Sequence, residues 1–76
     1  MTIQTMTAAK VWPFELEDAE EAGDIRAELE RAGTPIGPYD ILIGAQARRR
    51  SALLVTANAS ELSRVPRLRT ADWSVS

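Results

Sequence analysis

The apolar positions of this chain fall into blocks with different periods, and each block implies an element. Ala19, Ala22, Ile25, Leu29 and Ala32 recur at three- and four-residue spacing with charged residues between them, the pattern of a helix with one apolar stripe. Gly33 follows at once and suits a helix stop, because glycine enters the left-handed region without a Cβ clash. The spacing predicts a helix over 17–32. Thr34-Pro35-Ile36-Gly37-Pro38 cannot continue it, and Pro38 fits the first turn of a second helix, where its missing N–H costs nothing. From Tyr39 to Arg50 the chain is apolar on most sides, through Ile41-Leu42-Ile43, Ala45 and Ala47, so this second helix is expected in an interior.

Ala52-Leu53-Leu54-Val55 is a short unbroken apolar run after a helix, the pattern of a buried parallel strand. Thr56 to Ser63 reads as a loop with room for one helical turn, Val65-Pro66 as a further turn, and Leu68 to Trp73 as a last short strand. At the other end, Val11-Trp12-Pro13-Phe14 is apolar but contains proline, which suits an edge strand or a strand end. Residues 1–10 show no period and read as a flexible leader before a domain over 11–76. Strand, helix, helix, strand, turn, strand is an α/β order with a parallel sheet implied. There is no internal repeat.

A chain of 76 residues is one small domain, which buries only about 60% of the surface its unfolded form exposes. It contains neither cysteine nor histidine, which excludes disulfides, thiolate sites and imidazole chemistry; any metal would be a hard cation on oxygen ligands. Nine basic against eleven acidic side chains give a net charge of −2, not the basic footprint of a protein that holds nucleic acid by bulk charge. The charges are unevenly spread. Glu17, Asp18, Glu20 and Glu21 sit where a helix dipole favours carboxylates, and Arg48, Arg49, Arg50, Arg64, Arg67 and Arg69 occupy the second half. These arginines read as helix-end and surface charge, or alternatively as an RNA-facing patch. No signal-peptide pattern opens the chain and no run of 18 apolar residues occurs, so a cytoplasmic location is expected.

Ligands of open α/β sheets bind beyond the carboxyl ends of the strands, which directs attention to Thr56-Ala57-Asn58-Ala59-Ser60-Glu61. A hydroxyl, an amide and a carboxylate there offer oxygen donors suited to Mg²⁺ or Mn²⁺. The same residues also make an ordinary turn, with Asn58 in an Asx-turn and Ser60 capping one helical turn. Asp40, after the stiff Gly37-Pro38 step, opens an otherwise apolar helix. It serves equally as a dipole-complementing first-turn residue or as a carboxylate aimed at a metal, and spacing does not decide between them.

The segment from Thr34 to Ala47, with its Gly37-Pro38-Tyr39-Asp40 opening into an apolar helix, resembles VapC-type PIN-domain ribonucleases. Leu54-Val55-Thr56-Ala57-Asn58, then Glu61-Leu62 and Arg64-Val65-Pro66, is similar to that family's strand-and-loop motif. Leu68 to Trp73 is similar to its last strand, and Ile25 to Leu29 fits as well. The resemblance spans about residues 11–73 and identifies the chain as the C-terminal half of such a domain. It implies a partial PIN-like α/β fold in a family that hydrolyses RNA phosphodiesters at acidic residues holding Mg²⁺ or Mn²⁺. Asp40 matches the third acidic position and is the expected catalytic and metal residue. Asn58 and Glu61 match the loop positions that supply a fourth ligand, and Thr56 the supporting hydroxyl beside them. The family's first two acidic residues have no counterpart, and Ser51 stands where a glycine helix stop is usual.

The resemblance also implies a strand order 3-2-1-4-5, with Val11–Phe14 as strand 3, Ala52–Val55 as strand 4 and the segment ending near Trp73 as strand 5. Without strands 1 and 2, strand 4 would present a bare edge, a template for pairing with another chain, so either repacking or association is expected, most simply as a homodimer with strand pairing or a swap. Three functional expectations follow. The chain is a truncated toxin, inactive alone; or a non-catalytic module that binds a VapB-type antitoxin, itself or an intact paralogue; or a nuclease that acts on RNA only when oligomerisation completes the site.

Overall fold

The structure is a computed structural model that describes the backbone of Thr5–Thr7 and residues 13–72 throughout. Its elements run β1 (Thr5–Thr7), α1 (Leu16–Ala32), α2 (Pro38–Arg49), β2 (Leu53–Thr56), α3 (Ala59–Leu62) and β3 (Arg69–Asp72). The three strands form one sheet in the order β1-β2-β3, both pairings parallel, so the α/β expectation holds. No helix among the described residues is long and apolar enough to cross a membrane.

The two long helices end where local chemistry dictates. Gly33 closes α1 at φ 72°, its N–H donating to the Glu30 carbonyl, while Thr34 N–H reaches back to the Leu29 carbonyl. These bonds satisfy carbonyls that the end of a helix leaves unpaired. At the start of α1 the Asp18 carboxylate accepts the Glu15 N–H at 2.9 Å, half of a capping-box arrangement. Pro38 is the first residue of α2, as the sequence predicts.

The core is the apolar stripe of α1 set against α2 and the central strand. Ile25 and Leu29 meet Ile41, Ile43, Ala45 and Ala47, and Ala52, Leu54, Leu62 and Val65 complete the cluster. Along β2, Leu54 and Thr56 are buried while Leu53 and Val55 are half-buried, so the strand gives its more covered face to the core by the two-residue alternation of a strand. Gly44 faces the last part of the chain: a Cβ there would lie 3.4 Å from a Leu62 methyl and 3.5 Å from one of Leu68, ordinary contact distances.

A dense charge network joins the helices at the end away from their linker. Asp18, fully buried, receives Arg49 Nε at 2.7 Å and Arg50 Nη1 at 2.9 Å on one carboxylate oxygen. Glu15 receives both arginines at 2.6 and 3.2 Å. Arg48, also buried, bonds Glu21 at 2.5 Å, Glu28 at 2.8 Å and the Pro66 carbonyl at 3.2 Å. Arg67 adds a second contact to Glu28 at 3.0 Å. Four of the six arginines of the second half are therefore paired with α1 carboxylates. The acids at the start of α1 do more than complement a dipole.

Three expectations are corrected. Pro13 and Phe14 have no regular structure, and the rest of the strand expected over Val11–Phe14 lies outside the described residues. The edge of the central strand is not bare: Thr5, Met6 and Thr7, placed by sequence in the leader, pair with Leu53, Leu54 and Val55. The argument for a dimer from an unpaired strand therefore loses its premise. Ser51, which stands where a glycine helix stop is usual, sits at φ 53° in the left-handed region, which costs a non-glycine residue about 1 kcal/mol.

Burial pushes the Asp18 carboxyl up, but hydrogen bonds from Arg50, Arg49 and the Glu15 N–H outweigh it and hold the group well below the usual carboxylate range. A folded-state pKa below the unfolded value adds stability that is present above about pH 4 and lost as pH falls further. Asp18→Ala is expected to destabilise the chain by about 2 kcal/mol near neutral pH, because two half-buried guanidinium groups and the Glu15 N–H lose a charged acceptor. It should also flatten the acid limb of stability. Urea unfolding of parent and variant between pH 2 and 7 measures both effects, and parallel pH curves would refute the assignment.

Candidate metal site

Three side chains that the sequence proposes as ligands converge at the carboxyl end of β2. Thr56 is the last residue of that strand and is buried; its Oγ1 accepts the Asn58 N–H at 3.0 Å. This hydroxyl, rather than an Asx-turn at Asn58, makes the turn that leaves the sheet. Asn58 then stands as the residue before α3, and Glu61 lies three residues on, within its single turn. The Asn58 Nδ2 group donates to Asp40 Oδ2 at 2.8 Å and to Glu61 Oε2 at 3.2 Å. Asp40 arrives from the first turn of α2, fixed by Pro38 and by the Ile41 N–H bond to the Gly37 carbonyl.

An amide NH₂ therefore lies between two carboxylates, one proton directed to each. Both carboxylates thus face one point, filled by a hydrogen-bond donor where a cation would need an acceptor. A cation there would require the Asn58 amide to turn its Oδ1 inward, which a half-turn about the last side-chain bond achieves. The donor set is then two carboxylates and one amide oxygen. It fits Mg²⁺ or Mn²⁺ as a partial shell, because Mg²⁺ binds through one or two carboxylates and takes its other ligands from water and substrate phosphate. Among the described residues no group of three or more acidic side chains could hold a metal.

The ordinary reading of this stretch holds in that the chain turns here into a single helical turn, Ala59–Leu62. Ser60 does not cap the turn but sits inside α3, its carbonyl accepting the Ser63 hydroxyl at 2.8 Å. Asp72, which the sequence left within a strand, lies level with Thr56 across β2 and β3 and is the next carboxylate along the same sheet edge. Its position at a strand's carboxyl end was the signal available for it.

A groove runs between α1 and α2 on another side of the same helix start. It encloses about 350 Å³ and is lined by Phe14, Ala19, Ala22, Pro38, Ile41 and Leu42 among others, with Phe14 and Leu42 exposed at its rim.

Asn58→Asp tests whether the convergent point is a cation site. A third carboxylate within about 4 Å of a cation adds several kcal/mol even at an effective dielectric near 20. Mn²⁺ affinity, read by paramagnetic broadening at Asp40 and Glu61, is expected to rise at least about tenfold. An unchanged affinity would show that cations do not bind between these groups.

Comparison with known proteins agrees with this architecture. The PIN-domain family profile matches residues 2–68. The chain is 47% identical over 64 residues to the tRNA(fMet)-specific endonuclease VapC of Shigella flexneri, covering 84% of this chain and 48% of that protein. The crystal structure of DNA-bound VapBC from Salmonella typhimurium superposes with a TM-score of 0.77 at 44% identity, over 84% of this chain and 48% of the other. VapBC2 from Rickettsia felis, bound to a promoter DNA fragment, gives 0.73 at 38% identity over 80% and 46%. The chain thus spans about half the length of the curated relatives it matches.

Proposed function

The chain belongs to the PIN-domain family, and from that premise we propose that it carries part of a VapC-type site for metal-dependent hydrolysis of RNA phosphodiester bonds. The observation that supports this reading is the bridging of Asp40 and Glu61 by the Asn58 amide. Three residues from two separate elements, each matched by sequence to a family ligand position, meet at one point.

Mg²⁺ or Mn²⁺ bound there would supply an activated water and offset the charge that develops on phosphate oxygens. The chain's own residues account for the rest. Asp40 contributes a carboxylate held by a rigid helix start. Glu61 contributes a second from α3, and Asn58 a neutral oxygen that completes the near side. Thr56 positions Asn58 through its backbone and is buried, so it acts as support rather than as a ligand. Two carboxylates and one amide oxygen fill only about half of an octahedral shell, so on this reading the cation is held weakly until further acidic groups join it. A second copy of the chain or a complementary PIN-domain chain would supply them, and self-association enters the proposal by that route. The chain by itself does not turn over RNA on this reading. RNA as substrate places it in the cytoplasm.

A second reading is favoured by the apolar groove between α1 and α2. The solved neighbours are VapBC complexes, and a groove with exposed Phe14 and Leu42 suits an amphipathic segment of a VapB-type antitoxin. In that role the chain is an interaction module whose acidic residues do no chemistry.

Assay of single-stranded RNA with Mn²⁺ tests the first reading. The chain alone is expected to show no turnover above the Asp40→Ala background. Mixing it with an intact paralogue inactivated at its own third acidic position should restore cleavage that again depends on Asp40. Turnover by the isolated chain would refute the incomplete-site argument. Antitoxin binding lost in Leu42→Asp, with no complementation under any condition, would replace the nuclease reading with the second.

A further inference from the structure

The central strand is covered unequally on its two sides. β3 runs along the whole of β2, from the Leu53–Arg69 pair to the Thr56–Asp72 pair. β1 runs from the Thr5–Leu53 pair to the Thr7–Val55 pair and stops one position short of Thr56. On the β3 side a carboxylate, that of Asp72, belongs to the residue level with Thr56. On the β1 side, a strand continued by one residue in the same register would also stand level with Thr56, about 4.8 Å from β2. The sequence after Thr7 runs Ala8-Ala9-Lys10-Val11-Trp12-Pro13-Phe14 and brings no carboxylate before Glu15. The lane beside β2 thus ends where Thr56 holds the turn to Asn58 and so to Asp40 and Glu61, and its present occupant carries no acid to that end.

β1 is also lightly held. It has three residues, two of them threonine. It packs chiefly on β2, whereas β2 also packs on α2 and β3 on α3. Its pairing closes a separation of roughly 48 residues, which carries a large entropic cost. With β1 in place, Leu53 and Val55 are still only half-buried. A strand of β-branched apolar residues would cover them better than Thr-Met-Thr does.

We infer that β1 is a displaceable place-holder, and that the lane it fills on β2 is a docking site for a strand of a second polypeptide. The register of the present pair sets that strand parallel to β2. Leu53, Leu54 and Val55 call for apolar residues along it, and the site calls for a carboxylate at its carboxyl end, level with Thr56. Main-chain hydrogen bonds supply the affinity in such strand addition, and side chains supply the selectivity. A second copy of this chain could offer only β1 again, without the acid. The inference rests on the nuclease reading for the carboxylate, while the strand exchange is measured without it.

The probe is a short soluble peptide alternating valine and threonine and ended by aspartate, with an asparagine-ended peptide as its control. Titrated into the full chain, either peptide is expected to shift the amide signals of Leu53–Thr56 and to remove hydrogen-exchange protection from Thr5–Thr7. Met6→Pro combined with Thr7→Pro strikes one N–H on each side of β1. It should raise peptide affinity at least about tenfold, because a rarely populated open state lowers apparent affinity by its own fraction. The chain has no cysteine, so Thr7→Cys with Val55→Cys, paired in register, can tie β1 to β2 by a disulfide. Oxidised, this variant should lose peptide binding; reduced, it should bind as the parent does. The aspartate-ended peptide should raise Mn²⁺ affinity about tenfold and the asparagine-ended one should not. No peptide binding at millimolar concentration overturns the inference, as does binding that the oxidised pair leaves intact. A concentration-dependent dimer that keeps Thr5–Thr7 protected and refuses the peptide would also overturn it, giving the lane to β1 of a second copy. If the strands exchange but neither peptide alters Mn²⁺ binding, the docking site stands and the nuclease reading falls.

Discussion

The clasp between the first turn of α1 and the last turn of α2 sets the frame for everything else. Asp18 is buried with two guanidinium groups on it, and Arg48 is buried between two glutamates and the Pro66 carbonyl. Replacing such a cluster with well-packed apolar residues can be neutral or stabilising, so its value is not a simple gain in free energy. What it imposes is register. With its charges out of water, α1 cannot slide along α2 without stranding one of them. Arg48 extends the constraint to the turn that leads into β3. A helix of 12 residues is a rod about 18 Å long, so fixing its arginine end also fixes Asp40 at the other.

Much of the fold is legible in the sequence because the relevant signals are local. The α1 stripe, Gly33 as a stop, Pro38 as a first helical residue and the apolar run before Thr56 each bear on a few neighbouring residues. The structure places those elements within one or two positions of the expectation. The charge network was not legible. Arg48, Arg49 and Arg50 look like helix-end cations, and nothing within four residues reveals that their partners lie about thirty positions earlier. The pairing of Thr5–Thr7 with β2 was missed for the same reason: three residues carry no period, and their partner is remote.

The candidate site shows the limit from the other side. Asp40, Asn58 and Glu61 each have an ordinary local explanation, in a helix dipole or a turn, and composition could not choose between that and a ligand. The resemblance chose them together, and the fold brings Asn58 within hydrogen-bond distance of both carboxylates. Thr56 was named for its hydroxyl and has a structural use, making the turn that presents Asn58.

The register of the sheet bears on the order in which the molecule assembles. The α1–α2 pair closes over a five-residue linker, and β2 and β3 are joined by a short segment carrying α3. Thr5 meets Leu53 only across roughly 48 residues, and contacts of such separation bear the largest loop-closure entropy. The helical pair and the β2–β3 unit can therefore form before β1 docks, and β1 is the element whose departure disrupts least. During biosynthesis β1 emerges well before β2, so until Leu53–Thr56 are made its backbone groups are open to any extended segment nearby.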